Sequence, residues 1–340
     1  METDIEFSIQ VGDIVTFNTD VVALKYAQAS YGVDLHVSSL LRNAGIQIKD
    51  IKPQAGDYSY ISTHASLQSP HVLFVGVSEL GDFDYLQIRK FSARTLNILA
   101  QQAPQTRHIA MTIHGVGYGL DEVGASLSQL AGYIDAIQTG DFPSNLKRIT
   151  IVDIDPDRVQ RLRIAFEQAL ANTMSVVQVA GMWAYQLVTP KFLTPSESNR
   201  AITNVSRDLE TKPHAFVAMP FHKEMSDVFY YGIQQPVHNA GFLCERVDEE
   251  VFIGDVLEQI KKKIDTAKVV IAELSGANPN VYLELGYAWG KGRPTVLLIQ
   301  DEQELRFDVR SQRCLKYKSI RHLEETLNRE LKELQLRNFI

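Results

Sequence analysis

Glu284 is the residue whose type and placement could do chemistry. It lies in Asn278-Pro279-Asn280-Val281-Tyr282-Leu283-Glu284-Leu285-Gly286-Tyr287-Ala288. Upstream, Lys268 to Ala272 is a short apolar run, the pattern of a parallel strand covered on both faces. Ser275 to Asn278 is turn chemistry. Asn278 can cap a helix whose first position is Pro279, where the missing N–H costs nothing. Gly292 and Pro294 end that helix, and Thr295 to Ile299 is the next buried strand. Glu284 is thus expected about a turn and a half into a helix, just beyond the carboxyl end of a parallel strand, the edge where open α/β sheets bind ligands. A carboxylate there can attack an anomeric carbon or stabilise a ribosyl cation. The same pattern also fits a solvated glutamate on a helix surface. Asn280, Tyr287 and Ala288 neighbour it at helical spacing, and Asn280 is taken as a substrate-binding candidate. Gly286 and Gly290, four apart, suggest a face where another backbone comes close.

Other strand ends point to the same edge. Ala215-Phe216-Val217-Ala218-Met219-Pro220-Phe221 reads as a buried strand ending in a proline turn, and Phe242 to Val247 as a strand ending at Arg246 and Asp248. With Glu273, this gathers Met219, Pro220, Phe221, Arg246 and Asp248 as substrate-binding candidates. Arg246 could present a planar fork to phosphate, or could pair with Asp248 or Asp255. Phe221, on a loop, suits stacking on a base; Tyr282, Tyr287 and Trp289 suit either stacking or core packing. The nine histidines show no metal-ligand spacing, and Gly290-Lys291-Gly292 lacks the flanking residues of a phosphate-binding Walker loop.

The elements that position these residues require two domains. The chain has 340 residues, 45% hydrophobic and 22% charged, with a net charge of −7. That length suits two soluble domains, and the acidic balance argues against broad nucleic-acid binding. No apolar run reaches membrane-helix length, the acidic start lacks a signal peptide's pattern, and Cys244 and Cys314 have no redox or metal spacing. A cytoplasmic location without membrane attachment is the expectation. Residues 1–186 read as alternating strands and helices, implying a three-layer α/β domain. A segment rich in Thr, Pro, Ser and Asn at 187–212 reads as a linker, and residues 213–340 as a second α/β domain. Met225 to Ala240 reads as a helix. Arg321 to Leu336 reads as a charged amphipathic helix, cover for the sheet or a partner surface. In the first domain, the strand His108 to Ile113 runs into His114-Gly115-Val116-Gly117-Tyr118-Gly119. Its free N–H groups could form an anion nest, or its glycines could serve a tight turn.

The segment from Glu273 to Ala288 resembles the signature of the nucleoside 2-deoxyribosyltransferase and TIR-like superfamily, and the resemblance runs from Ala215 to Tyr317. It implies a flavodoxin-like parallel sheet. It also implies that Glu284 acts at C1′ of a ribosyl or deoxyribosyl group, breaking an N-glycosidic bond of NAD or a nucleoside, with no cofactor required and NAD as substrate. Glu273 stands where many members of that superfamily carry aspartate. In the first domain, Gly12-Asp13-Ile14, Asp20-Val21-Val22, Gly32-Val33-Asp34 and the loop at Gly115 to Gly119 resemble a macro domain and the N-terminal domain of leucine aminopeptidases. That implies a nucleotide ligand such as ADP-ribose, held by Asp13, Ile14, His114, Gly115, Val116, Gly117, Tyr118 and Gly119. Lys25-Tyr26-Ala27-Gln28 stands in place of that family's usual Asn-Ala-Ala-Asn. A sensor joined to an effector resembles bacterial nucleotide-signalling defence proteins and implies a homo-oligomer.

Overall fold

The structure, a computed structural model, describes residues 5–28, 32–79, 82–116, 118–170, 176–179, 183–187, 212–247 and 256–340. The chain is α/β and divides into two compact units. Met1–Val116 with Glu122–Glu210 form one, and Gly117–Asp121 with Thr211–Ile340 form the other. No helix among the described residues is long and apolar enough to cross a membrane.

The first unit is a three-layer sandwich. Its strands are β1 (Ile5–Val11), β2 (Val21–Tyr26), β3 (Tyr58–Ser62), β4 (His71–Gly76), β5 (His108–Met111), β6 (Arg148–Asp153), β7 (Val176–Gln178) and β8 (Ala184–Leu187). They form one sheet in the order β3-β4-β2-β5-β6-β1-β8-β7. The five central strands are parallel, and β3, β8 and β7 pair antiparallel at the two edges. Its helices are α1 (Gly32–Asn43), α2 (Ile48–Ile51), α3 (Tyr85–Gln102), α4 (Glu122–Thr139) and α5 (Pro156–Leu170).

Strand periodicity explains the layers, since alternate residues face opposite sides. Val22, Leu24, Val72 and Phe74 pack with Val37, Leu41 and Ile51 of α1 and α2. On the other side, Phe7 stacks on Phe166 of α5 at 5.8 Å and tilts against Tyr133 of α4 at 6.2 Å. All six residues of β2 are buried, Lys25 among them, and from Val21 to Leu24 the strand reads as an apolar run rather than an alternation. Strands β3, β7 and β8 are short, and pairing defines them: β3 with β4, β8 with β1, and β7 with β8.

The second unit is a five-stranded parallel sheet of β9 (His214–Ala218), β10 (Leu243–Glu245), β11 (Val269–Glu273), β12 (Thr295–Gln300) and β13 (Cys314–Tyr317). The order is β10-β9-β11-β12-β13. This is the flavodoxin-like order, with its reversal between β9 and β11. On one face Ala215 and Val217 meet Ile233, Val237 and the Leu323, Leu327 and Leu331 stripe of the C-terminal helix. On the other, Phe216, Ala218, Val270 and Ala272 meet Ile260 and Ile264 of the helix Val256–Thr266, and Val281, Leu285 and Ala288 of the helix Pro279–Gly290.

The segment expected as one helix from Met225 to Ala240 is helical without a break over residues 226–239, preceded by a 3₁₀ turn at Lys223–Met225; its middle, Val228–Gln234, is wound as a π-helix that α6 (Gln235–Asn239) continues. Pro236 has no N–H to give a regular α ladder across the junction. Within this stretch Gly232 admits the C-terminal helix closely, since a Cβ there would lie 2.7 Å from Leu323 Cδ2. Of the two roles expected for the C-terminal helix, Ile320–Leu336, cover for the sheet or a partner surface, its apolar stripe takes the first, packing in the core of its own unit.

Candidate functional site

The carboxyl edge of the second sheet is built by the loops that follow β9, β10 and β11. Because β9 lies between the other two, all three loops emerge side by side at the reversal of strand order. Met219, Pro220 and Phe221 follow β9, Arg246 follows β10, and Glu273 ends β11. After β11 the chain turns through Gly276 at φ 73° and Ala277 at φ 51°. Asn278 then caps α8 (Pro279–Gly290), its Oδ1 accepting from Asn280 N at 2.9 Å; α7 denotes Val256–Thr266. The cap and the proline set the start of the helix, and so the height of Glu284 above the sheet edge.

Glu284 is half-buried and borders the inward stripe of Val281, Leu285 and Ala288. It is therefore neither a core residue nor fully solvated. Asn280, one turn earlier, is exposed. The glycines on this helix do not serve close approach within the chain, contrary to expectation: a Cβ on Gly286 or Gly290 would meet nothing within 4 Å. Two of the three helical aromatics have other tasks. Tyr287 Oη donates to Asp265 at 3.1 Å, and Trp289 Nε1 donates to Thr295 Oγ1 at 3.0 Å.

Arg246 draws three of the expected residues into one cluster. Its guanidinium carbon lies 4.6 Å from the Phe221 ring centroid and 3.9 Å from that of Phe229, and Nη1 approaches Met219 Sδ at 3.6 Å. Aromatic rings at such distances stabilise a planar cation. Phe221 thus lies against an arginine, which differs from the free stacking platform expected. Phe229 was missed, because in Phe229-Tyr230-Tyr231 it reads as ordinary helical core. The π-turn that carries it had only Pro236 as a signal. Asp248 lies outside the described residues, as does Asp255.

Glu273 faces inward. It is wholly inaccessible, and Oε2 accepts from Ser275 N at 3.2 Å. Oε1 accepts from Tyr317 Oη at 2.9 Å and from Ser275 Oγ. Burial pushes its carboxyl above the ordinary range, and the bonds from Ser275 and Tyr317 act against that shift. Burial first and the Glu273 charge second push the Cys314 thiol up to about 11, so it is no nucleophile near neutral pH. Tyr317 also lines a half-open cavity of about 550 Å³ with Val228, Gln300, Asp301, Lys318 and Ser319, at the carboxyl ends of β12 and β13.

In the first unit, Asp13 is exposed and its Oδ1 accepts from Val15 N at 3.0 Å, closing a turn over which Ile14 is buried. His114 is buried, its ring edge-on to Phe91 at 4.7 Å. Nε2 of His114 has no hydrogen-bond partner, and burial first and Lys25 second hold the imidazole well below its ordinary range. Gly115 and Gly119 both take positive φ, at 88° and 92°, which only glycine adopts readily. Val116 is half-buried, and Gly117 lies outside the described residues. Tyr118 and Gly119 belong to the second compact unit, where Tyr118 bridges Val247 and a Cβ on Gly119 would lie 3.1 Å from Val247 Cγ2. At the end of β2, Lys25 Nζ donates to Asp34 at 2.6 Å and Gln28 Nε2 donates to the Val77 carbonyl at 2.9 Å. Among the described residues no group of His, Cys, Asp or Glu could hold a metal ion.

No family model matches the sequence, and no curated protein does. Solved structures give likenesses of fold. The macrodomain of Oceanobacillus iheyensis with MES bound is 14% identical, over 50% of this chain and 95% of that one, at a TM-score of 0.40. The Trypanosoma brucei macrodomain in complex with ADP-ribose is 15% identical, over 46% of this chain and 67% of that one, at 0.37. The CMP N-glycosidase of Clostridium botulinum is 15% identical, over 36% of this chain and 98% of that one, at 0.28. Identities this low leave the chemistry to be argued from the side chains.

Proposed function

We propose that the second unit cleaves the N-glycosidic bond of a nucleotide, NAD in the first instance, with Glu284 as the carboxylate at C1′. The observation that carries this reading is the placement of Glu284. It is half-buried on the capped helix after β11, at the strand-order reversal where a parallel sheet binds its ligand. In the reaction the C1′–N bond breaks and its electron pair leaves with nicotinamide, which becomes neutral. The Glu284 carboxylate stabilises the ribosyl cation or closes an ester on C1′. Water then gives its hydroxyl to C1′ and a proton to Glu284 or solvent, yielding ADP-ribose, nicotinamide and one proton. The test is chromatographic product analysis on the full chain with NAD and, in parallel, with deoxynucleosides. Glu284→Gln is expected to keep the fold, by circular dichroism, and to lose roughly 100-fold or more in turnover, as removal of a group acting at the reacting atom does. Equal rates for the two proteins would sink the assignment. Deoxynucleosides as the better substrates would make the enzyme a deoxyribosyltransferase-like one. In the same assay, added ADP-ribose tests the first unit as a nucleotide sensor, since a ligand shifts activity only by binding the active arrangement more tightly.

A second reading, nucleotide binding without turnover, is favoured by Glu273. The carboxylate that ends β11, Glu273, is fully enclosed and hydrogen-bonded within the chain, so β11 gives Glu284 no second accessible acid. Calorimetric binding of NAD or ADP-ribose with no product under any condition would support it.

A further inference from the structure

The cavity at the carboxyl ends of β12 and β13 takes no part in the chemistry assigned to Glu284, and its lining includes none of Met219, Phe221 or Glu284. Its volume of about 550 Å³ is that of a small-molecule site, for which roughly 300–1,000 Å³ is usual. The chain's own hydrogen bonds hold its walls from behind. Asp301 N donates to the Tyr317 carbonyl at 2.9 Å and carries the pairing one residue past the end of β12. Gln300 N donates to Ser275 Oγ at 2.9 Å, and Gln300 Oε1 accepts from Gln303 Nε2 at 3.1 Å. Tyr317 Oη is tied to Glu273, and Ser319 Oγ accepts from His322 N at 3.2 Å. The space is thus shaped before any ligand arrives, which spares a ligand the cost of ordering it.

The charge around it has a sign. Val228 and Ile320 supply apolar wall, while Asp301, Glu302 and Lys318 set two carboxylates against one ammonium. Lys318 Nζ lies 3.6 Å from Asp301 Oδ2, so those two offset each other. Among the described residues no cation pairs with Glu302. The start of the C-terminal helix, at Ser319 and Ile320, adds only about half an elementary positive charge, which leaves the cavity net negative. A phosphate or carboxylate is disfavoured in such a space. A positive group directed at Glu302, on a body that packs against Val228 and Ile320, fits both its charge and its walls.

We infer that this cavity is a second ligand site of the second unit, and that it takes a compact organic cation, an ammonium or similar group on an apolar body. Its occupancy requires neither Glu284 nor turnover of a nucleotide.

The experiment uses three probes that share a ring and differ in charge: benzylammonium, benzyl alcohol and benzoate. Each is titrated into the isotope-labelled full chain and followed by the amide signals in NMR spectra. Benzylammonium is expected to move the signals of residues 300–302 and 317–320 and to bind about 5-fold tighter than benzyl alcohol, the ratio that one unit charge at contact gives in water. Benzoate is expected to bind more weakly than either. Glu302→Gln, an exposed substitution that keeps the side chain's shape, should bring the cation down to the level of the alcohol. Lys318→Met should widen the preference, because it removes the opposing charge. Melting curves establish that each variant is folded. Benzoate binding as tightly as benzylammonium to the unaltered protein would overturn the inference without reference to any variant. So would the absence of saturable binding by the cation, or signal changes confined to residues outside the cavity. A folded Glu302→Gln protein that keeps the full preference would overturn it as well.

Discussion

Replacing Tyr317 by Phe probes the most enclosed polar group of the second unit. Glu273 is wholly inaccessible, and Tyr317 Oη is one of its three donors, at 2.9 Å. The substitution removes an oxygen, adds no bulk, and leaves the Ser275 bonds in place. A hydrogen bond to a charged buried group contributes about 1.5–3 kcal/mol. For a unit of this size that is a fall of roughly 6–10 °C in its melting transition. The deficit also depends on pH. Burial already raises the Glu273 carboxyl, and losing the Tyr317 donor raises it further. A folded acid that holds its proton more tightly than the unfolded one gives its full stability below the unfolded value, 4.5 for glutamate, and loses it as pH rises through the folded value. The variant should therefore be closest to the parent in acid and fall further behind toward neutral pH. Thermal scans across that range measure the deficit, and amide exchange at residues 269–273 and 314–317 assigns it to β11 and β13. A variant melting within about 1 °C of the parent throughout, or one whose deficit is largest in acid, would refute the picture of a buried, ionisable network.

Gly286→Ala is expected to stabilise the second unit by about 0.5–1 kcal/mol in urea unfolding, since a Cβ there meets nothing within 4 Å and glycine weakens a helix interior. A loss of stability would restore the close-approach reading of that helix face. In the first unit, burial first and Arg148 second pull the His108 imidazole down to about 4, with Asp20 opposing. The unfolded imidazole titrates near 6.5, so this unit should be at full stability above that pH and lose stability as pH falls toward 4. His108→Gln should flatten that loss in pH-dependent melting, and an unchanged acid slope would assign the effect elsewhere.

Much of the architecture was legible from one chain because its signals are local. The apolar runs at Val21 to Leu24 and Val269 to Ala272 lie in strands buried on both faces, and no partner strand is needed to recognise them. Asn278 and Pro279 fix a helix start through their own hydrogen bond and their own missing donor, so the height of Glu284 followed from spacing alone. What only the tertiary structure decided depends on residues far apart in sequence. Whether Glu273 faces a ligand or the interior turned on Tyr317, two strands away across the sheet and 44 residues on. Arg246 became an aromatic-walled cation because a π-turn after β9 brings Phe229 against it, a geometry no short-range pattern encodes. The C-terminal helix showed its apolar stripe in the sequence, but a stripe specifies only that it must be covered. That its own sheet covers it, with Gly232 making room for Leu323, is a property of packing, because burial is shared between surfaces and belongs to neither alone.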